Sequence, residues 1–273
     1  MDRAGQEYWD ALWEGETLPA PVDPRDKTLG NYVFRKYHEL FTRVLPRGQN
    51  VRFLEVGCAR SRWLPYFAAE HGYEVTGLDY STTGCEQARQ ILAAAGIEGR
   101  IVEGDLFSPP EDLLEAFDVV VSFGLVEHFD DTTAATQALG RFLVPGGTLV
   151  TVIPNMGGSL VALIQRFLNR AVFEVHLPLD RRQLAEAHRA AGLELRSCGY
   201  FLGVNWNVVN ITTWRNATFR RRVMRGLSGM SKAAWWLEAR GIRLRPNRLT
   251  SPYVVAIARS SNPSLDARPV DGA

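Results

Sequence analysis

The chain has few cysteines, no long apolar run and almost no net charge. Its three cysteines, Cys58, Cys85 and Cys198, sit at no close pairing or metal-ligand spacing. That argues against a disulfide scaffold and a cysteine-based zinc module, and no metal is expected. An odd, low count fits a reducing compartment. No apolar run approaches the roughly 18 residues that a spanning helix needs. The N-terminus, Met1-Asp2-Arg3-Ala4-Gly5, does not read as a signal peptide. The expectation is a soluble, cytoplasmic protein. A net charge of +1 gives no global pull towards nucleic acid or membrane, and no internal repeat is visible. What is present is an ordinary globular composition, 46% hydrophobic and 22% charged over 273 residues. That length holds one large domain with appendages or two small ones.

The most informative stretch is 51–63. Val51 to Val56 is apolar and β-prone, Gly57 breaks it, and a helix follows from Arg62 with Trp63, Leu64 and Phe67 on one face. A strand, a small-residue turn and a helix form the ligand-binding edge of open α/β sheets. Gly57 lets backbone approach a ligand where a Cβ would clash. The turn reads Glu55-x-Gly57-x-Ala59-x-Ser61, which is not the G-x-G-x-x-G of dinucleotide enzymes.

An acid two residues before the first glycine resembles motif I of the class I S-adenosylmethionine (SAM) dependent methyltransferases, normally (D/E)-x-G-x-G-x-G. Ala59 and Ser61 stand in place of the second and third glycines. Three later strand ends keep the register. Tyr73 to Asp79 is a strand ending in an acid about 22 residues after Gly57, where a carboxylate accepts two ribose hydroxyls. A helix N-cap is the other reading of Asp79, and Ser81 or Thr82 could fill that role instead. Tyr80 could lay its ring on adenine. Arg100 to Asp105 is a third strand; the resemblance implies that Asp105 takes the adenine amino group and Leu106 packs on the ring. Phe117 to Gly124 is an almost continuously apolar fourth strand, as a central parallel strand requires. It runs from Phe123, beside the cofactor, into Glu127-His128, resembling the pair that often ends the family's fourth strand near the transferred methyl. Pro145-Gly146-Gly147 turns into a fifth strand.

The resemblance covers 51–152 closely and 179–259 loosely. It implies an α/β fold: one seven-stranded doubly wound sheet of order 3-2-1-4-5-7-6, with an N-terminal helical cap and a C-terminal helical insert. The organisation expected is a cap or lid over 1–48, a SAM-binding domain over 49–260 and a disordered tail over 261–273. The N-terminal segment carries a short helix with Trp9 and Trp13, a proline-rich linker and a longer helix from Leu29 to Leu45. It either caps a sheet edge or closes over the cofactor. Residues 157–174 read as one apolar, mildly basic helix. The insert, 214–248, holds about ten Arg and Lys against one Glu, with Trp235 and Trp236 among them. It is a solvated helix over the substrate mouth, a contact for an anionic membrane surface, or a site for an acidic substrate. No nucleic-acid partner is expected, because no RNA-binding module is visible.

The function implied is methyl transfer from SAM, leaving S-adenosylhomocysteine, to an oxygen or nitrogen of a small molecule. The candidate cofactor residues are Glu55, Gly57, Ala59, Asp79, Tyr80, Asp105, Leu106 and Phe123. His128 is the candidate base, since an ordinary imidazole titrates near neutrality, with His176 second; either could instead only shape the pocket. A nicotinamide reductase is disfavoured by Glu55, by the turn and by the lack of a Tyr-x-x-x-Lys pair. A SAM-binding partner protein without catalysis, and an enzyme acting on a membrane-associated lipid or saccharide, remain the alternatives.

Overall fold

The computed structural model describes residues 2–212 and 214–261. The expected disordered tail lies, from 262 onward, outside the described residues. Seven strands form one sheet of order β3-β2-β1-β4-β5-β7-β6, as the resemblance implies. The strands are β1 (Arg52–Val56), β2 (Glu74–Asp79), β3 (Arg100–Glu103), β4 (Phe117–Phe123), β5 (Leu143–Pro154), β6 (Glu194–Phe201) and β7 (Tyr253–Arg259). β1 pairs in parallel with both β2 and β4, and β5 runs parallel to β4. β7 is antiparallel to β5 and β6. The order reverses between β1 and β4, which opens a crevice at their carboxyl ends.

The two-residue period of the strands sorts side chains onto two cores. Phe53, Val119 and Val121 face one, with Trp63, Phe67 and Phe41. Leu54, Val56 and Val120 face the other, with Leu139, Phe142 and Leu149. Burial on both faces is why these strands read as unbroken apolar runs. Replacing fully buried Phe53 by Ala would cost about 3–5 kcal/mol.

The helices are α1 (Gln6–Trp13), α2 (Tyr32–Val44), α3 (Trp63–His71), α4 (Thr82–Ala94), α5 (Thr132–Gly140), α6 (Leu160–Leu168), α7 (Arg170–Glu174), α8 (Arg181–Ala190) and α9 (Ala217–Ala239). α2 buries Val33, Tyr37, Leu40 and Phe41 in the same core as β1 and α3. The single helix expected over 157–174 is two. The chain leaves helical geometry at Asn169 (φ −151°), whose side chain accepts from Val172 N and starts α7. Only Val161, Ala162 and Gln165 of α6 and Val172 of α7 are buried.

α9 docks through Leu227, Ser231 and Trp235, spaced four apart on one face. Trp235 stacks on Tyr32 at 5.3 Å and donates its indole N–H to Val204 O. The Tyr32 hydroxyl donates to Glu238 at 2.6 Å. Arg221, Arg222 and Arg225 face solvent. No described helix is long and apolar enough to cross a membrane.

Candidate active site

The carboxyl ends of β1, β2 and β4 open into a cavity of about 1010 Å³. Glu55, Gly57, Ala59, Asp79, Tyr80, Asp105, Leu106, Phe123, His128 and His176 all line it. Every candidate site residue therefore meets at one cavity, although they span more than a hundred positions of chain.

The turn after β1 is built from its departures from the glycine motif. Gly57 has φ +79°, and a Cβ there would meet Leu125 Cδ1 at 3.3 Å. Its N–H donates to Leu78 O. Ala59 fits because α4 offers a glycine opposite it: a Cβ on Gly84 would lie 2.4 Å from that of Ala59. Ala59 therefore packs directly against a residue without a side chain. Ser61 replaces a glycine with a hydroxyl that donates to Glu55 at 2.5 Å and accepts from Trp63 N and Leu64 N. It starts α3 and anchors the acid of the motif. Burial, with Asp79 nearby, pushes the Glu55 carboxyl up to about 8 even against the Ser61 hydrogen bond.

Asp79 ends β2 and is 7% exposed. One carboxylate oxygen accepts from Ala59 N and the other from Ser81 N, both at 2.8 Å. Burial raises it to about 6 despite these donors. Ser81 caps α4, accepting from Gly84 N, so Asp79 is not the cap. α4 accordingly starts at Thr82. Asp105 lies beyond the end of β3, in a turn, where it accepts from Phe107 N at 2.6 Å. Leu106 is buried beside it. Phe123 stacks on Trp63 at 5.0 Å, with ring planes 8° apart.

Glu127 and His128 sit on a 3₁₀ turn after β4, not in the strand itself. The His128 Nδ1–H donates to Val175 O at 2.9 Å, and that of His176 to Val172 O at 2.6 Å. A carbonyl can only accept, so both rings keep Nε2 as the lone-pair nitrogen. Their centroids are 4.4 Å apart. Burial, followed by the neighbouring His176, drives His128 down to about 3, and burial lowers His176 as well. Both imidazoles are neutral at physiological pH. Glu127, 1% exposed, is raised to about 8 by burial. Both of its carboxyl oxygens are buried without a hydrogen-bond partner.

Sequence reasoning passed over Asp2, Asp10 and Arg60. The Tyr80 hydroxyl donates to Asp2 at 2.6 Å, and Asp10 accepts from Ser81 Oγ and Thr83 N. Arg60 donates to Thr17 O and lies over Trp13. Trp9 packs edge-on against His128, centroids 5.0 Å apart. Tryptophan spacing signalled α1, but nothing local revealed what it would cover.

The comparisons agree with this geometry. A model described as a methyltransferase domain matches residues 29–197, more than half of the chain. The chain belongs to that family, the class I SAM-dependent methyltransferases. A ubiquinone biosynthesis O-methyltransferase of Photorhabdus laumondii is 29% identical over 160 residues, covering 58% of this chain and 61% of that protein. A ribosomal RNA small subunit methyltransferase C of Alcanivorax borkumensis is 33% identical over 109 residues, covering 37% and 32%. The chain thus spans less than two thirds of either relative. A geranyl diphosphate C-methyltransferase from Streptomyces coelicolor shares the fold, with a TM-score of 0.60 at 17% identity over 93% of this chain and 97% of that one.

The cavity suits SAM on its own residues. A positive-φ glycine at the strand end leaves backbone bare, and a buried carboxylate faces the space where ribose hydroxyls would donate.

Proposed function

We propose that this chain methylates an oxygen or nitrogen of a small-molecule acceptor, with SAM as donor. The observation that carries the reading is the single cavity. Its lining brings the Glu55–Ser61 turn, Asp79 and Leu106 together with Glu127, His128, His176, Gln165 and Asn205. One end would hold the cofactor and the other the acceptor. The ubiquinone O-methyltransferase relatives support a small-molecule acceptor.

Asp79 would take the ribose hydroxyls, Asp105 and Leu106 the adenine, and Tyr80 its ring face. Glu55, Gly57 and Ala59 would shape the turn around the remainder, and Phe123 would wall off the reacting end. When bound, SAM supplies a methyl on a sulfonium, already a good leaving group. What is left to the protein is alignment and exclusion of water. The N-terminal segment would act as a lid: Trp9 lies on His128, and Asp2 and Asp10 hold it to the β2 edge. His128 and His176 present Nε2 lone pairs to an acceptor hydroxyl or amine. With its pKa pushed down by burial, His128 suits accepting a hydrogen bond better than storing a proton.

The test is twofold. Calorimetry with SAM separates this reading from a reductase, and transfer from labelled SAM into a metabolite extract separates it from a partner protein that only binds SAM. Tight binding without any labelled product would refute the enzyme.

One observation favours a membrane-associated acceptor as a second reading. Leu163 and Phe167 of α6 are 63% and 88% exposed. α6 and α9 share a small core of Val161, Ile164, Val223 and Leu227, so these apolar groups sit on the layer that carries the exposed arginines. Flotation with anionic vesicles at low and high salt checks it, and no flotation at low salt removes it.

A further inference from the structure

We propose that Glu127, His128 and His176 form a binding site for a divalent transition-metal ion at the acceptor end of the cavity. One donor atom from each lies within 4.8 Å of the other two. The residues come from two segments, the turn after β4 and the loop after α7. Leu177 N ties the segments together by donating to Glu127 O at 2.7 Å.

Two observations point to a cation rather than to a packed polar core. First, both Glu127 side-chain oxygens are buried and unpartnered, although two imidazoles are close by. Had the cluster been a proton-sharing network, a Glu127 oxygen and a ring nitrogen would be hydrogen-bonded, in one direction or the other, and neither oxygen is. Instead both ring N–H groups turn away, to Val175 O and Val172 O. Second, that turning away is the arrangement metal-ligating histidines adopt. An Nδ1–H held by a backbone carbonyl fixes the tautomer and the ring orientation, and leaves Nε2 to ligate. A cation in the cluster would meet a Glu127 oxygen and a ring nitrogen of each histidine, and would end the orphaning of Glu127.

Two imidazoles and one carboxylate suit Zn²⁺, Mn²⁺, Fe²⁺ or Co²⁺ better than Mg²⁺ or Ca²⁺, which favour all-oxygen sets. Three protein ligands leave positions open towards the cavity. A catechol, phenol or other acidic hydroxyl bound there would ionise more readily. Its proton passes to water, and the metal-held oxygen becomes the nucleophile. The new C–O bond then forms as the donor's C–S bond breaks, so no redox partner is needed. This catalytic role rests on the methyltransferase reading; metal binding itself does not.

The test uses the full chain, stripped with chelator and titrated with Co²⁺ alone by optical absorption and with Zn²⁺ alone by calorimetry. One equivalent of either should bind. Glu127→Gln and His176→Gln, checked for native circular dichroism, should each weaken binding by at least the about 10–100-fold that loss of an outer-shell partner costs. No stoichiometric binding, or binding untouched by both substitutions, overturns the site. SAM affinity is measured on the same stripped protein. If SAM fails to bind while Co²⁺ does, the methyltransferase reading falls and the metal site stands. Methyl transfer to a phenolic acceptor that continues undiminished without metal overturns the Lewis-acid role.

Discussion

Gly84→Ala tests whether the turn and α4 were fitted to each other. Gly84 lies in the first turn of α4, and an alanine there would ordinarily favour the helix by about 0.5–1 kcal/mol. Here the added Cβ would meet Ala59 Cβ at 2.4 Å, Ser81 Oγ at 2.9 Å and Ala59 Cα at 3.1 Å. None of these is the far end of a flexible chain, so the turn itself must shift. Overpacking of this kind costs about 1–3 kcal/mol, which outweighs the helix gain and leaves a net loss of about 1–2 kcal/mol. At this size that lowers Tm by roughly 2–8 °C. Because Ala59 N donates to Asp79, the shift also reaches the carboxylate at the cofactor end of the cavity, and SAM should bind more weakly. Ala59→Gly removes the nearest of the three contacts. A double-mutant cycle in urea should therefore show rescue, with a coupling of about 1–2 kcal/mol between the sites. If Gly84→Ala proves stabilising, or if the two substitutions are additive within about 0.5 kcal/mol, the compensation does not exist.

Asp79 gives a pH dependence with two opposite signs. Burial raises it to about 6 in the folded chain, so its contribution to stability is fully present below the unfolded pKa and is lost as pH rises through about 6. In its proposed role Asp79 takes the ribose hydroxyls as a carboxylate, so SAM affinity should instead fall as pH drops through the same value. Asp79→Asn should bind more weakly by about 1.5–3 kcal/mol at pH 8 and lose the fall in affinity through about 6; a profile like the parent's would remove Asp79 from the ribose. Gly57→Ala must place a side chain at φ +79° and against Leu125, costing about 1–2 kcal/mol of stability as well as cofactor affinity. Urea unfolding and SAM calorimetry measure the two losses, and a variant unchanged in both would show that the turn relaxes freely.

Much was legible in the sequence because it is local. An apolar run ended by Gly57, a strand ended by Asp79 and another running into Glu127-His128 each announce themselves within a few residues, since strand burial and turn chemistry act at short range. Their order along the chain was enough for the sheet order of a known family. Element ends were less secure: β3 stops at Glu103 and leaves Asp105 in a turn, because strand pairing with β2 ends there. What only the tertiary structure decided are contacts between residues far apart in the chain, which follow no period. Ala59 stood out as a departure until the fold set Gly84 against it. Asp2 and Asp10 are unremarkable near a chain start, and reach the β2 edge only through the path of α1. His176 lies 48 residues after His128, and no spacing rule joins them. The loop after α7 brings it to Glu127, and burial then leaves a carboxylate without a partner and two imidazoles without charge, because removing water penalises every ion that is not paired.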